Sequence, residues 1–209
     1  MNKIVVFASG SGSNAENIIK HFKNNNLSTV SHVFCNNPNA YVIDRAKKLN
    51  IPVYVFNRED FKEKNGVHKK LLNINPDLIV LAGFLWKFPT FLVSRFQNKI
   101  INIHPALLPN YGGKGMYGMH VHKAVVENRE LKSGITIHYV NEFYDEGGII
   151  KQFDCDIEAN DSPEDVAKKI HKLEMTFFPK VIFEMINAFK STHSELSGAM
   201  EDRWRENQK

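Results

Sequence analysis

The 209-residue chain is poor in cysteine, with only Cys35 and Cys155. Two cysteines make no disulfide framework of the kind small secreted domains need, and their separation has no metal-ligand spacing. Long apolar runs are also missing. The longest, residues 78–86, is about half of the ~20 residues that cross a bilayer. The apolar start of MNKIVVFASGSG is too short for a secretory leader. Charge of one sign is lacking too: 27 Lys and Arg stand against 23 Asp and Glu, a net +4 spread along the chain. That excludes a basic stripe for nucleic acid and suits small anionic substrates. There is no internal repeat, low-complexity segment or interdomain linker. Gly-x-Ser-x-Gly, His-Glu-x-x-His and a Gly-Lys-Ser/Thr turn are all absent, which excludes a hydrolase elbow, a zincin site and a P-loop. A soluble cytoplasmic protein without membrane or nucleic-acid partners is expected.

What is present can build a large core. With 43% hydrophobic and 24% charged residues, a chain this size buries about 70% of its unfolded surface. Residues 4–8 form a short β-branched run bounded by Ser and Gly, the pattern of a central parallel strand. Helical spacing of Ile18, Ile19 and Phe22 follows over 14–22. Further strands are expected at 30–35, 52–56, 77–83 and 99–105, with helices at 41–49 and from an Asn57 or Asp60 cap to about Leu72. This alternation predicts an α/β fold with a doubly wound, mostly parallel sheet. Residues 105–118 hold two prolines and four glycines and read as a long functional loop. Then come a short helix at 120–127 and strands at 135–140 and 149–155, which place an antiparallel strand in the C-terminal half. Ser162 and Pro163 open a long helix whose apolar face runs through Val166, Ile170, Leu173, Phe177 and Val181, with Pro179 a potential kink. The domain is expected to span 1–189, and 190–209 to form a polar tail.

Three clusters carry chemistry. The turn after the first strand, Ser9-Gly10-Ser11-Gly12-Ser13-Asn14, combines free backbone N–H groups with the positive end of a helix and suits phosphate. Gly10, Gly12 and Ala15 also satisfy a relaxed dinucleotide pattern, which keeps a nicotinamide-dependent oxidoreductase as an alternative. The acidic residue that would hold an adenosine ribose is missing near Cys35-Asn36-Asn37. In Ile101-Asn102-Ile103-His104-Pro105 the strand period puts Asn102 and His104 on one face, an amide donor beside an imidazole that moves protons near neutral pH. Such a pair suits attack on a carbonyl. Asp145, with Glu142 and Glu146 as competing carboxylates, could orient the imidazole and stabilise its protonated form. His120 and His122 have a spacing that fits a metal on a strand, but the expected helix points them apart, and no metal is expected.

In order and spacing, Gly10-Ser11-Gly12-Ser13-Asn14, Leu81-Ala82-Gly83-Phe84, Asn102-Ile103-His104-Pro105-Ala106-Leu107-Leu108-Pro109 and Asp145-Glu146-Gly147-Gly148 make the chain resemble the folate-dependent formyltransferases, and among them those acting on glycinamide ribonucleotide. The likeness covers about residues 1–189 and implies a Rossmann-like formyltransferase fold. It implies transfer of a formyl group from 10-formyltetrahydrofolate, a co-substrate rather than a tightly bound cofactor, to the substrate amine in purine biosynthesis. It further implies that Asn102, His104 and Asp145 are catalytic. Gly12, Ser13, Asn14, Gly83 and Glu174 would bind the ribonucleotide, and the folate would lie near Leu85, Trp86, Lys87 and Phe88, along Asn141, Glu142, Phe143 and Tyr144, with Lys64 toward its glutamate tail. Three features depart from the pattern: Trp86 replaces a frequent Arg, the loop at 112–119 is longer, and Lys64 aligns only across a gap. Relatives acting on tRNA or hydrolysing the formylfolate carry an extra domain for which the chain has no room. A noncatalytic nucleotide-binding module is a further alternative. Small-molecule partners and a monomer or homodimer are expected.

Overall fold

A computed structural model describes residues 1–206, with side chains described for 1–188. Seven strands lie in one sheet in the order β3-β2-β1-β4-β5-β6-β7. They are β1 (Asn2–Ala8), β2 (Ser28–Cys35), β3 (Val53–Val55), β4 (Leu78–Leu81), β5 (Ile100–His104), β6 (Lys132–Tyr139) and β7 (Ile149–Asp156). The helices are α1 (Ser13–Phe22), α2 (Val42–Lys48), α3 (Arg58–Lys62), α4 (Lys69–Ile74), α5 (Thr90–Arg95), α6 (Met119–Glu127) and α7 (Pro163–Glu206). Strands β1 to β5 are parallel, while β6 pairs antiparallel with both β5 and β7. The expected doubly wound sheet with one reversed strand is therefore the observed one.

The period of two explains why the sheet is covered on both faces. Ile4, Val6 and Ala8 of β1, with Leu78 and Val80 of β4, pack with α1, α2 and α7. Val5 and Phe7, with Ile79 and Leu81, pack on the opposite face against Phe61, Leu71 and Leu92 of α3, α4 and α5. This second layer is rich in rings: Phe7 stacks on Phe34 at 4.8 Å and meets Phe88 edge-on at 5.1 Å. Residues of β1 at 4–8 are wholly inaccessible, as expected of a strand with a layer on each side.

One local expectation needs correction. The single helix expected to reach Leu72 is broken into α3, a π-type turn at Lys64–His68, and α4. Gly66 has non-helical angles (φ −87°, ψ −112°), and a Cβ there would sit 2.2 Å from the Asp60 carbonyl oxygen, so the chain crosses itself where only glycine fits. Asn57 is the N-cap, in a reciprocal capping box with Asp60. The short helix α5 had no recognisable sequence signal; it follows Pro89 and buries little beyond Leu92.

Helix α7 begins as expected. The Ser162 Oγ caps it by accepting the Asp165 N–H, and the Asp165 carboxylate accepts from the Ser162 hydroxyl and N–H, which holds the Asp165 carboxyl down at about 2. Its core face includes Val166, Ile170, Phe178, Val181 and Ile182, and Pro179 lies within the continuing helix. The polar tail expected at 190–209 lies outside the residues whose side chains are described; the backbone remains helical to Glu206. Among the described residues, no helix is long and apolar enough to cross a membrane.

The sheet order reverses direction between β1 and β4, and the carboxyl ends of these strands are where ligands collect in open α/β sheets. Ser9 ties the two ends together: its N–H donates to Gly83 O at 3.1 Å, and its Oγ accepts from the Leu85 N–H at 3.0 Å.

Candidate active site

A cavity of about 780 Å³ opens over this reversal point. At one end lies the turn of residues 10–14. Gly12, the N-cap of α1, is left-handed (φ 75°), and a Cβ on it would come within 2.4 Å of the Val42 side chain; both conformation and packing demand glycine. The backbone N–H groups of the first turn of α1 are thereby presented to the cavity, a site for an anion. Asn14 adds a side chain: its Nδ2 donates to Glu174 Oε2 at 2.9 Å, which joins α1 to α7 and holds Glu174 in the wall. His171 Nδ1 lies 3.4 Å from the same oxygen, and this contact raises the His171 pKa.

The other end is built on β5 and β6. Their register sets Asn102 opposite His138 and His104 opposite Thr136, while Ile103 and Ile137 face the α1/α7 layer. Asn102 Nδ2 lies 3.1 Å from His138 Nε2, and His138 Nδ1 lies 2.8 Å from the Tyr139 carbonyl oxygen. Because a carbonyl only accepts, Nδ1 carries the hydrogen, and Nε2 accepts from the Asn102 amide. The same logic at His104 makes Nε2 the donor to the Tyr111 carbonyl at 2.7 Å. His104 Nδ1 sits 3.6 Å from Asp145 Oδ2, and His138 Nε2 sits 3.7 Å from Asp145 Oδ1. One carboxylate thus faces two imidazoles that are 3% and 2% exposed. Asp145 is left-handed (φ 57°) and also accepts the Gly113 N–H at 2.9 Å, so it ties the glycine-rich loop to the centre.

Thr136 secures the chain that follows His104. Its hydroxyl donates to Ala106 O at 2.7 Å and accepts from the Leu108 N–H at 2.9 Å. Tyr111 is held in turn, its hydroxyl donating to Glu130 at 2.6 Å.

Gly12, Ser13, Asn14, Gly83, Leu85, Asn102, His104, Tyr144, Asp145 and Glu174 all line this one cavity. Trp86, Lys87 and Phe88 line an adjoining pocket of about 380 Å³, which shares Leu85 and Tyr144 with the first. Lys64, Asn141, Glu142 and Phe143 line neither. Asn141 instead fixes its own turn by accepting the Phe143 N–H. Where Lys64 was expected, the basic side chains of the smaller pocket are Arg58, Lys62 and Lys87; Arg58 stacks on Trp86 at 4.8 Å, and Lys87 lies over Tyr144 at 5.5 Å. No cluster of metal-ligating side chains is found among the described residues.

Sequence reasoning passed over His138 and Lys114. His138 was signalled by period two, since it alternates with the core residues Ile135 and Ile137 of a strand beside Asn102. Among the described residues, Lys114 is the one Lys or Arg lining the larger cavity.

Burial lowers the pKa of His138, against the smaller upward pulls of the Tyr139 carbonyl and Asp145, and burial also lowers that of His122. At these two sites the native protein therefore binds fewer protons than the unfolded chain below the ordinary imidazole value of 6.5, and their part of its stability is lost as pH falls through that region. The drop in Tm between about pH 7.5 and 5.5 is expected to be smaller in His138→Gln than in the wild type. Equal drops in thermal melts would contradict the assignment.

A glycine turn at a helix N-terminus faces an Asn–His–Asp cluster across one cavity on a doubly wound sheet, an arrangement suited to group transfer. The Formyl transferase family model matches residues 2–182, and the chain belongs to that family. Phosphoribosylglycinamide formyltransferase of Bacillus subtilis is 35% identical over 191 residues, covering 89% of this chain and 95% of its own. The chloroplastic enzyme of the same name from Arabidopsis thaliana is 38% identical over 186 residues, and the match covers 86% of this chain but only 64% of the plant protein. Among solved structures, phosphoribosylglycinamide formyltransferase from Anaplasma phagocytophilum superposes with a TM-score of 0.81 at 30% identity, covering 90% of this chain and 88% of that one.

Proposed function

We propose that this chain transfers the formyl group of 10-formyltetrahydrofolate to the amine of glycinamide ribonucleotide, a step of purine biosynthesis in the cytoplasm. The observation that carries the reading is the single cavity joining the turn at 10–14 to Asn102, His104 and Asp145; the names of the relatives support it. The phosphate sits on the N–H groups of residues 12–14, with Lys114 as the neighbouring permanent cation. Glu174 receives the ribose or glycinamide portion. The folate lies from Leu85 and Tyr144 into the smaller pocket.

The substrate amine attacks the formyl carbon, and the carbonyl oxygen becomes an oxyanion. Asn102 has one amide N–H committed to His138 and a second that remains to stabilise this charge. The bond between the formyl carbon and folate N10 then breaks. The proton lost by the amine reaches N10 by way of His104, which the neighbouring Asp145 carboxylate orients. His138 fixes the Asn102 amide and is held neutral by burial.

Arg58, Lys62 and Lys87 face the smaller pocket without a carboxylate among its lining residues, which suits the glutamate tail of the folate. All three are exposed, so each contributes little. The double variant Arg58→Ala/Lys87→Ala is expected to raise KM for the formylfolate about 3–20-fold and leave KM for the ribonucleotide unchanged. Steady-state kinetics with each substrate varied check this, and an unchanged folate KM would remove these residues from the folate site.

The overall reading is tested by adding glycinamide ribonucleotide and 10-formyltetrahydrofolate to purified protein and following release of the deformylated folate by absorbance. Tight NADH binding with no folate release would instead favour the oxidoreductase reading of residues 10–15.

A further inference from the structure

His122 has no part in the chemistry described so far, yet it is kept at a cost. It sits on α6 between Val121 and Val125, on the face packed inward, and is 6% exposed. Its Nδ1 is sealed from solvent with no hydrogen-bond partner. An unsatisfied buried polar atom costs about 1–3 kcal/mol, and leucine would fill the same space without that penalty. The residue nevertheless lines the large cavity. The charged or titratable groups that act on it are Glu174 on α7 and His104 on β5, both of which line the same cavity. A second buried atom without a partner belongs to another residue lining this cavity: Asn14 Oδ1, whose Nδ2 is already given to Glu174.

We propose that His122 is an acceptor-recognition residue, a neutral imidazole that hydrogen-bonds the uncharged span of the ribonucleotide between its phosphate and its reacting amine. With the phosphate on residues 12–14 and the amine at Asn102 and His104, a hydroxyl or amide group of the substrate lies opposite His122. Neutral imidazole offers one donor and one acceptor, so it serves either. Burial keeps the ring neutral, so it adds no second cation beside His104. This rests on the function proposed above, because it takes its geometry from a phosphate and an amine bound at opposite ends.

The test is kinetics and thermal melting of His122→Leu and His122→Gln beside the wild type. In the leucine variant, KM for glycinamide ribonucleotide should rise about tenfold, the effect of one lost hydrogen bond, with kcat within about twofold and KM for the formylfolate unchanged. Its Tm should equal or exceed that of the wild type, since the unpaired nitrogen is gone. His122→Gln, which restores a polar group at the far end of the side chain, should recover most of the ribonucleotide KM. If the leucine variant does not fold, His122→Met is used with the same expectations. A wild-type KM in the apolar variant overturns the inference, as does a glutamine variant no better than leucine. Absence of turnover in the wild type would instead overturn the proposed function itself.

Discussion

His104→Ala is expected to lower kcat by about 10²–10⁴-fold, the range for removing a positioned acid–base group, with much smaller changes in either KM. The imidazole is the group placed to move a proton: it is 3% exposed, 2.7 Å from the Tyr111 carbonyl through Nε2 and 3.6 Å from Asp145 through Nδ1. Its loss also leaves the Tyr111 carbonyl and one face of Asp145 without a partner, which costs about 1–3 kcal/mol if neither finds water. Melting curves must therefore accompany the rates. A folded variant with a collapsed kcat supports the role, and small added imidazole that restores part of the rate would support it further. A folded variant retaining more than about a tenth of the wild-type kcat would remove His104 from the chemistry.

Asp145→Asn is expected to reduce kcat by about 10²-fold or more while the protein stays folded. Asparagine keeps the shape and still accepts the Gly113 N–H bonded at 2.9 Å, so the loop remains attached. What disappears is the negative charge facing His104 and His138 at 3.6 and 3.7 Å. Without it, the protonated imidazole that forms as the amine loses its proton is left uncompensated in a buried setting, where charge interactions are strong. Glu142→Gln and Glu146→Gln serve as controls. Both lie in the same turn, neither forms an ion pair with an imidazole among the described residues, and both variants should retain near-wild-type rates. Full activity in Asp145→Asn with a loss in either control would transfer the role to that glutamate.

Much of this arrangement is legible without coordinates, because it follows from periodicity and from glycine. The run at residues 4–8 announces a strand covered on both faces, and the alternation in residues 101–104 puts Asn102 and His104 side by side. Gly12 marks the glycine turn that opens α1. What is not legible depends on pairing between distant segments. The period of two marks His138 as facing away from the core residues Ile135 and Ile137, but its partner Asn102 is fixed only by the antiparallel register. Asp145 is separated from Glu142 and Glu146 only by the turn that aims it at two imidazoles. The broken helix between Asn57 and Ile74 reflects a close crossing at Gly66, which leaves no trace in helical spacing. The basic residues lining the smaller pocket are Arg58, Lys62 and Lys87 rather than the expected Lys64, which lies in the broken segment after α3.

The most direct measurement is a single-turnover reaction of the purified protein with 10-formyltetrahydrofolate and glycinamide ribonucleotide, with product identified by mass. Formation of formylglycinamide ribonucleotide in step with deformylated folate, dependent on both substrates and lost in His104→Ala, is the predicted result. Formyl release without formylated ribonucleotide, or the same product yield from the folded His104→Ala variant, would contradict direct transfer at this site.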